Sequence, residues 1–166
     1  MSTNIPTLFG RKEYRIDPKG RIPLSADYYS QLDVQGENKT LIVVRASNGD
    51  FPYLEAFSLK EWKEKLEVID RMDDDDDKDW LLINYVGGAL QVDLDGQNRM
   101  RLPKSWIDYA GINKDVVFIG AINTIKIWSR EILEKYEMIP PKGTKDSIRA
   151  KMNESRRKLL EERGNR

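Results

Sequence analysis

The chain has 166 residues, 39% apolar and 34% charged, with equal numbers of basic and acidic side chains and neither cysteine nor histidine. That length suits one compact unit. The two absences exclude disulfides, thiolate metal sites and every nucleophile activated by an imidazole, and leave an enzyme only carboxylate, lysine or tyrosine chemistry.

No apolar run approaches the roughly 18 residues of a membrane span, and the opening MSTNIPTL lacks the apolar stretch of a signal peptide. The expectation is a cytoplasmic protein without a membrane partner. The zero net charge hides segregation along the chain. Residues 8–25 carry five basic side chains against two acidic, residues 67–79 two against eight, and residues 142–166 nine against four. Two basic segments therefore flank an acidic one, and a local basic patch attracts polyanions whatever the total.

Taken in order, the first marked feature is YRIDPKGRIPLS at 14–25. Pro18, Lys19 and Gly20 supply turn residues between short alternating segments, which is the grammar of a tight β-hairpin. Ile22 and Leu24 are expected to face inward and Arg21 outward. Residues 25–32 follow as a helical turn, then two β-rich runs at 41–45 and 53–57. Ser58 with Glu61 reads as a capping box opening a helix whose Leu59, Trp62, Leu66 and Ile69 form one stripe. The aspartates at 73–77 read as a solvated linker, because consecutive carboxylates on a loop do not converge on one cation. Residues 80–86 read as a buried helix ending at Gly87 and Gly88.

VDLDGQNRMRLP at 92–103 then repeats the first turn 78 positions later. Asn98 takes the place of Gly20, and both residue types tolerate positive φ. Met100 and Leu102 match Ile22 and Leu24. A helical turn at 103–110 with Gly111 as its C-cap, β runs at 116–120 and 124–128, and a helix opened by Ser129 complete the copy. Four short strands per half make no closed core, whereas eight from two halves can pair into a small barrel without free edges. The fold class expected is mostly β with flanking helices, built from two internal repeats. The segments are an N-terminal extension (1–8), a first repeat (9–72), an acidic linker and helix (73–86), a second repeat (87–138) and a basic tail (139–166). The tail's apolar pattern is thin and predicts a mobile or marginal helix.

The candidate chemistry lies in the doubled arginines. Arg99 and Arg101 stand about 6.6 Å apart on one strand face, near twice the charge spacing along one DNA strand. Each turn adds a long polar side chain, Lys19 or Gln97. Such hairpins can touch phosphates and set a guanidinium fork on a guanine edge. The alternative is that Arg21 and Arg99 merely brace their turns against Asp17 and Asp95. Bracing leaves Arg11, Lys12, Arg15 and Arg101 unexplained. The sequence carries no GxxxxGK[ST], GxGxxG or GxSxG motif, and the stretch from Asp93 fails as a calcium loop at its sixth and twelfth positions. No catalytic residue, metal, cofactor or small-molecule substrate is expected. Trp62, Trp80, Trp106, Trp128, Tyr28 and Tyr29 read as core or subunit contacts.

Phe9-Gly10, the turns Asp17-Pro-Lys-Gly-Arg21 and Asp95-Gly-Gln-Asn-Arg99, Gly87-Gly-Ala, the run 109–120 and Ile127-Trp-Ser together resemble the MraZ family of bacterial transcriptional regulators, with its SpoVT/AbrB-like fold. The resemblance covers roughly residues 9–136. It implies a double-split, swapped-hairpin β-barrel, subunits assembled into a ring, and sequence-specific binding to double-stranded DNA on the nucleoid, at short tandem repeats in the promoter of the division and cell-wall gene cluster, usually as an autorepressor. By position it carries over Lys19, Arg21 and Arg99. Strand facing adds Arg15 and Arg101. The first copy departs from the family at Pro23, which removes a strand amide. A rival from another class is an oligomeric assembly or protein-partner module with structural arginines.

Overall fold

The computed structural model describes residues 7–32 and 39–166. Its first half contains β1 (Arg11–Arg15), β2 (Arg21–Pro23), α1 (Ala26–Gln31), β3 (Thr40–Asn48), β4 (Phe51–Ser58) and α2 (Leu59–Asp70). After α3 (Asp76–Leu81) and a π-helical turn (Leu82–Val86), the second half supplies β5 (Leu90–Asp93), β6 (Arg99–Arg101), α4 (Lys104–Tyr109), β7 (Asp115–Gly120), β8 (Ile125–Ser129) and α5 (Arg130–Glu137). Helix α6 (Lys145–Gly164) belongs to a separate compact unit that begins at Glu137.

The two turns form, but their strands do not pair with each other. In each copy the chain reverses through an aspartate amide that donates to the carbonyl of the arginine four residues on, Asp17 to Arg21 and Asp95 to Arg99. The flanking strands then part. β1 pairs with β7 of the other half, and β2 pairs with β6 of the other half. The tight turns expected are present, and the strands that flank them pair across the two halves. The eight strands divide into a six-stranded antiparallel sheet, β1-β7-β8-β4-β3-β5, and a two-stranded ribbon, β2-β6. The larger sheet does not close: β1 and β5 remain its edges, unlike the edgeless arrangement expected. Its order is symmetric about the β8–β4 junction, with β1, β7 and β8 standing to one side as β5, β3 and β4 stand to the other.

Alternation places the core. Leu41 and Val43 of β3 point to one face while Ile42 and Val44 point to the other, and all four are buried, so the strand reads as a continuous apolar run. On the inner face Leu41, Val43, Leu54, Ala56, Val116, Phe118, Ile125 and Ile127 meet Ile22, Leu24, Met100 and Leu102 of the ribbon and Tyr28 and Trp106 of α1 and α4. On the outer face Ile42, Val44 and Phe57 are covered by Trp62 of α2. Tyr53, Val117 and Trp128 are covered by Leu133 of α5, with the Tyr53 and Trp128 rings stacked at 4.6 Å.

Helix caps follow the serines. Ser58 accepts from the Glu61 amide at 3.2 Å, but the Glu61 carboxylate accepts from the Asn123 side chain instead of closing the box. Gly111 has φ 63 after α4, as a C-cap requires. Within the acidic run, Asp75 caps α3 by accepting from the Lys78 amide. The Lys78 ammonium donates to the Asp70 and Met72 carbonyls at the end of α2 and pairs with Asp74 at 2.9 Å. The run is therefore partly helical and tied to α2.

Residues 80–86 are not a buried helix. Trp80 is 61% exposed and Ile83 65% exposed. Tyr85 packs against Trp62, with ring centroids 5.5 Å apart. A π turn breaks the 3.6-residue pattern, so the apolar side chains no longer share one face. The tail forms one continuous helix. α6 runs 20 residues, capped by the Thr144 hydroxyl and supported by the i,i+4 pairs Arg157–Glu161 and Glu154–Lys158. Length beyond the ~12–15 residue threshold and these pairs support it without packing.

Candidate nucleic-acid interface

The ribbon fixes where the doubled arginines point. Its register sets Arg21 opposite Arg101, Ile22 opposite Met100, and Pro23 opposite Arg99. Ile22 and Met100 are fully buried. Their neighbours along each strand must therefore turn to the other side, and Arg21, Arg99 and Arg101 come together on one outward face although they come from different halves of the chain.

Pro23 costs the ribbon no hydrogen bond. The Leu24 amide donates to the Asn98 carbonyl at 3.0 Å and the Leu102 amide to the Gly20 carbonyl at 2.9 Å. In an antiparallel ladder bonded and non-bonded pairs alternate, so the Pro23–Arg99 pair falls at a non-bonded position. The missing amide would have pointed away from the partner strand.

Each turn holds its arginine in the same way. Asp17 Oδ1 accepts from the Lys19 and Arg21 amides, both at 2.9 Å, and Asp17 Oδ2 accepts from Arg21 Nε. In the second copy Asp95 Oδ1 accepts from the Gln97 amide at 2.9 Å and the Arg99 amide at 3.0 Å, and Asp95 Oδ2 accepts from Arg99 Nε at 2.8 Å. The bracing alternative is thus present in the structure. It occupies Nε, leaving the terminal amino groups of both guanidiniums without a described partner, and the two side chains stay 31% and 27% exposed. The Arg21 amide, with the Arg21 guanidinium and the Lys19 amide, holds the Asp17 carboxyl below the usual carboxylate range. The Arg99 amide, with the Gln97 amide and the Arg99 guanidinium, does the same for Asp95. Both carboxylates stay charged and keep their arginines oriented.

Positive φ is required at the matching turn positions, 78° at Gly20 and 56° at Asn98. Gly20 is constrained further, since a Cβ there would lie 2.7 Å from the carbonyl oxygen of Leu102, the residue after β6. Lys19 and Gln97 are exposed at the two turn tips. Arg15 is not on the ribbon. It ends β1 in the larger sheet and lies 3.5 Å from Asp115, and its counterpart in the second repeat is Asp93, whose carboxylate accepts from the Thr40 hydroxyl. The strand-facing argument therefore unites Arg21, Arg99 and Arg101, with Lys19 and Gln97 at the turns and Arg15 on a different sheet.

Sequence patterning does not single out Lys39. Its ammonium donates to the Asn98 side chain at 3.0 Å and its carbonyl accepts from the Leu94 amide, which adds a cation to the second turn. The Lys114 carbonyl accepts from the Ile16 amide in the same way at the first turn. The one sequence signal is a lysine just before β3 and again just before β7. Trp106 and Tyr109 take the Arg45 guanidinium over their rings at 4.5 and 5.5 Å, which occupies aromatic faces that could otherwise stack on bases.

No group of three or more His, Cys, Asp or Glu side chains among the described residues could hold a metal ion, and no described helix is long and apolar enough to cross a membrane.

Residues 85–140 match the family profile described as "MraZ protein, putative antitoxin-like". A protein of Caldanaerobacter subterraneus subsp. tengcongensis named "Transcriptional regulator MraZ" is 34% identical over 132 residues, covering 78% of this chain and 85% of that one. Proteins of the same name from Clostridium beijerinckii and Bacteroides fragilis are each 32% identical, over 148 and 150 residues, covering 87% and 89% of this chain and 96% and 92% of theirs.

Proposed function

We propose a function from one premise: this chain belongs to the MraZ family. It acts as a sequence-specific, DNA-binding transcriptional regulator without catalytic activity. The observation that carries the reading is the antiparallel register of β2 and β6, which sets Arg21, Arg99 and Arg101 on one solvent-facing side. Guanidiniums held in fixed orientation by Asp17 and Asp95 suit phosphate contact and bidentate recognition of a guanine edge. Lys19 and Gln97 extend that face at the turns, and Arg15 supplies a further phosphate contact from β1.

The target is short tandem repeats in the promoter of a division and cell-wall gene cluster, with the protein repressing its own expression. The split sheets are the halves of a double-split barrel, and subunits close into a ring. Each subunit offers only a few positive charges, so repeated DNA elements engaging several subunits raise the apparent affinity by orders of magnitude without a new contact. Work in the cytoplasm on the nucleoid follows from that partner.

The paired Nε atoms favour one rival, an assembly module in which the arginines only brace turns. Gel shifts on the protein's own upstream DNA separate the two. Arg21→Ala with Arg99→Ala should abolish the shift while sedimentation and circular dichroism stay as in the parent. Retained binding by the double variant would refute this site, and no shift by the parent at low salt would favour the rival.

A further inference from the structure

Helix α6, taken by itself, buries none of its residues, so packing makes no use of its side chains. At 3.6 residues per turn, Lys145, Arg149, Arg156 and Arg163 fall within about 40° of one another around its axis and extend along about 27 Å of it. None of the four has an ion pair among the described residues. Arg157 and Lys158, off that row, are instead held by Glu161 and Glu154 at 3.9 and 3.0 Å. Those two acids lie on the side roughly opposite the row. The helix thus neutralises one flank and leaves a straight cationic strip on another.

Ile148, Met152 and Leu159 border the strip and stay exposed. Ser155 interrupts them, and Leu160 lies off their face, so the stripe is too thin for a coiled-coil seam with a second copy. A line of four cations about 27 Å long, about 6, 10.5 and 10.5 Å apart, instead suits an extended polyanion. It spans about eight base pairs of duplex at 3.4 Å per strand charge.

We propose that the Lys145, Arg149, Arg156 and Arg163 face of α6 is a second, sequence-independent DNA contact. It lies along phosphates and reads no base edges. This rests on DNA being the partner. It adds affinity and salt dependence without adding sequence preference.

The test uses the full chain with Lys145→Gln, Arg149→Gln, Arg156→Gln and Arg163→Gln together, since Gln preserves helix propensity. Binding is titrated with salt on the upstream duplex and on a scrambled duplex of equal length, with helicity and sedimentation measured alongside. The log-log salt slope should become shallower by about 0.9 for each phosphate no longer neutralised, up to about 3.6 in all, equally on both duplexes. An unchanged slope overturns the inference while leaving the ribbon reading intact. So does a weakening confined to the upstream duplex, or a change in subunit number without a change in slope, which would give α6 to a contact between copies. Failure of the parent to bind either duplex removes the DNA reading itself, and this contact with it.

Discussion

At Asp17 a single carboxylate accepts from two backbone amides and one guanidinium, and Asp95 repeats the arrangement. Both groups are held below the usual carboxylate range, chiefly by the amide of the arginine four residues on. The sign follows from linkage. A carboxyl whose folded pKa is depressed contributes stability that is present above its unfolded value of about 3.9 and is lost as pH falls through the folded one. Acidification below about pH 4 should therefore loosen the turns and release the guanidiniums. Asn at both positions can still accept the amide bonds but carries no charge to lose. The Asp17→Asn, Asp95→Asn protein should accordingly show a smaller drop in urea midpoint between neutral and strongly acidic pH than the parent. Equal drops would show that these carboxylates do not govern acid sensitivity.

For the strands, facing matters more than residue type. Met100 is fully buried against the larger sheet, while Pro23 is exposed at a non-bonded position of the same ribbon. Met100→Ala should cost about 2–5 kcal/mol through the cavity it leaves, and Pro23→Val should stay within about 1 kcal/mol because no ladder bond is made or broken. Urea denaturation measures both, and a Pro23 cost rivalling that of Met100 would contradict the register. Facing was legible in the sequence: the alternation of Ile22 and Leu24 with Arg21, and of Met100 and Leu102 with Arg99 and Arg101, gives the buried and exposed sides correctly. Pairing was not. Period-two alternation states which way a side chain points but not which strand lies beside it, and here the partners of β1 and β2 come from the other half. Residues 80–86 show the same blindness from another side, since their apolar composition suggests burial while the π turn leaves only Tyr85 in contact with Trp62. Lys39 escaped notice because no charge pattern marks a cation brought to Asn98 from 59 positions away.

Between Leu8 and Tyr136, the exchange of strands between the two halves sets the unit of folding. β1 has β7 as its neighbour, β2 has β6, and β5 has β3, so the first half alone would leave β1 and β2 without partners. Its inner apolar residues, Ile22, Leu41, Val43 and Leu54 among them, would face water on the side now covered by Met100, Phe118 and Ile127. Burial of several such side chains at about 1.5–3 kcal/mol each exceeds the net stability of a typical domain. A fragment of residues 1–72 should therefore not fold as a monomer. The symmetric strand order offers it one escape, in which a second copy of the same fragment takes the place of the missing repeat. Circular dichroism and sedimentation over a range of concentrations should find either an unfolded chain or a folded dimer whose structure vanishes on dilution. A folded monomer would mean that one repeat completes its own core, and the strand exchange would then have no energetic necessity.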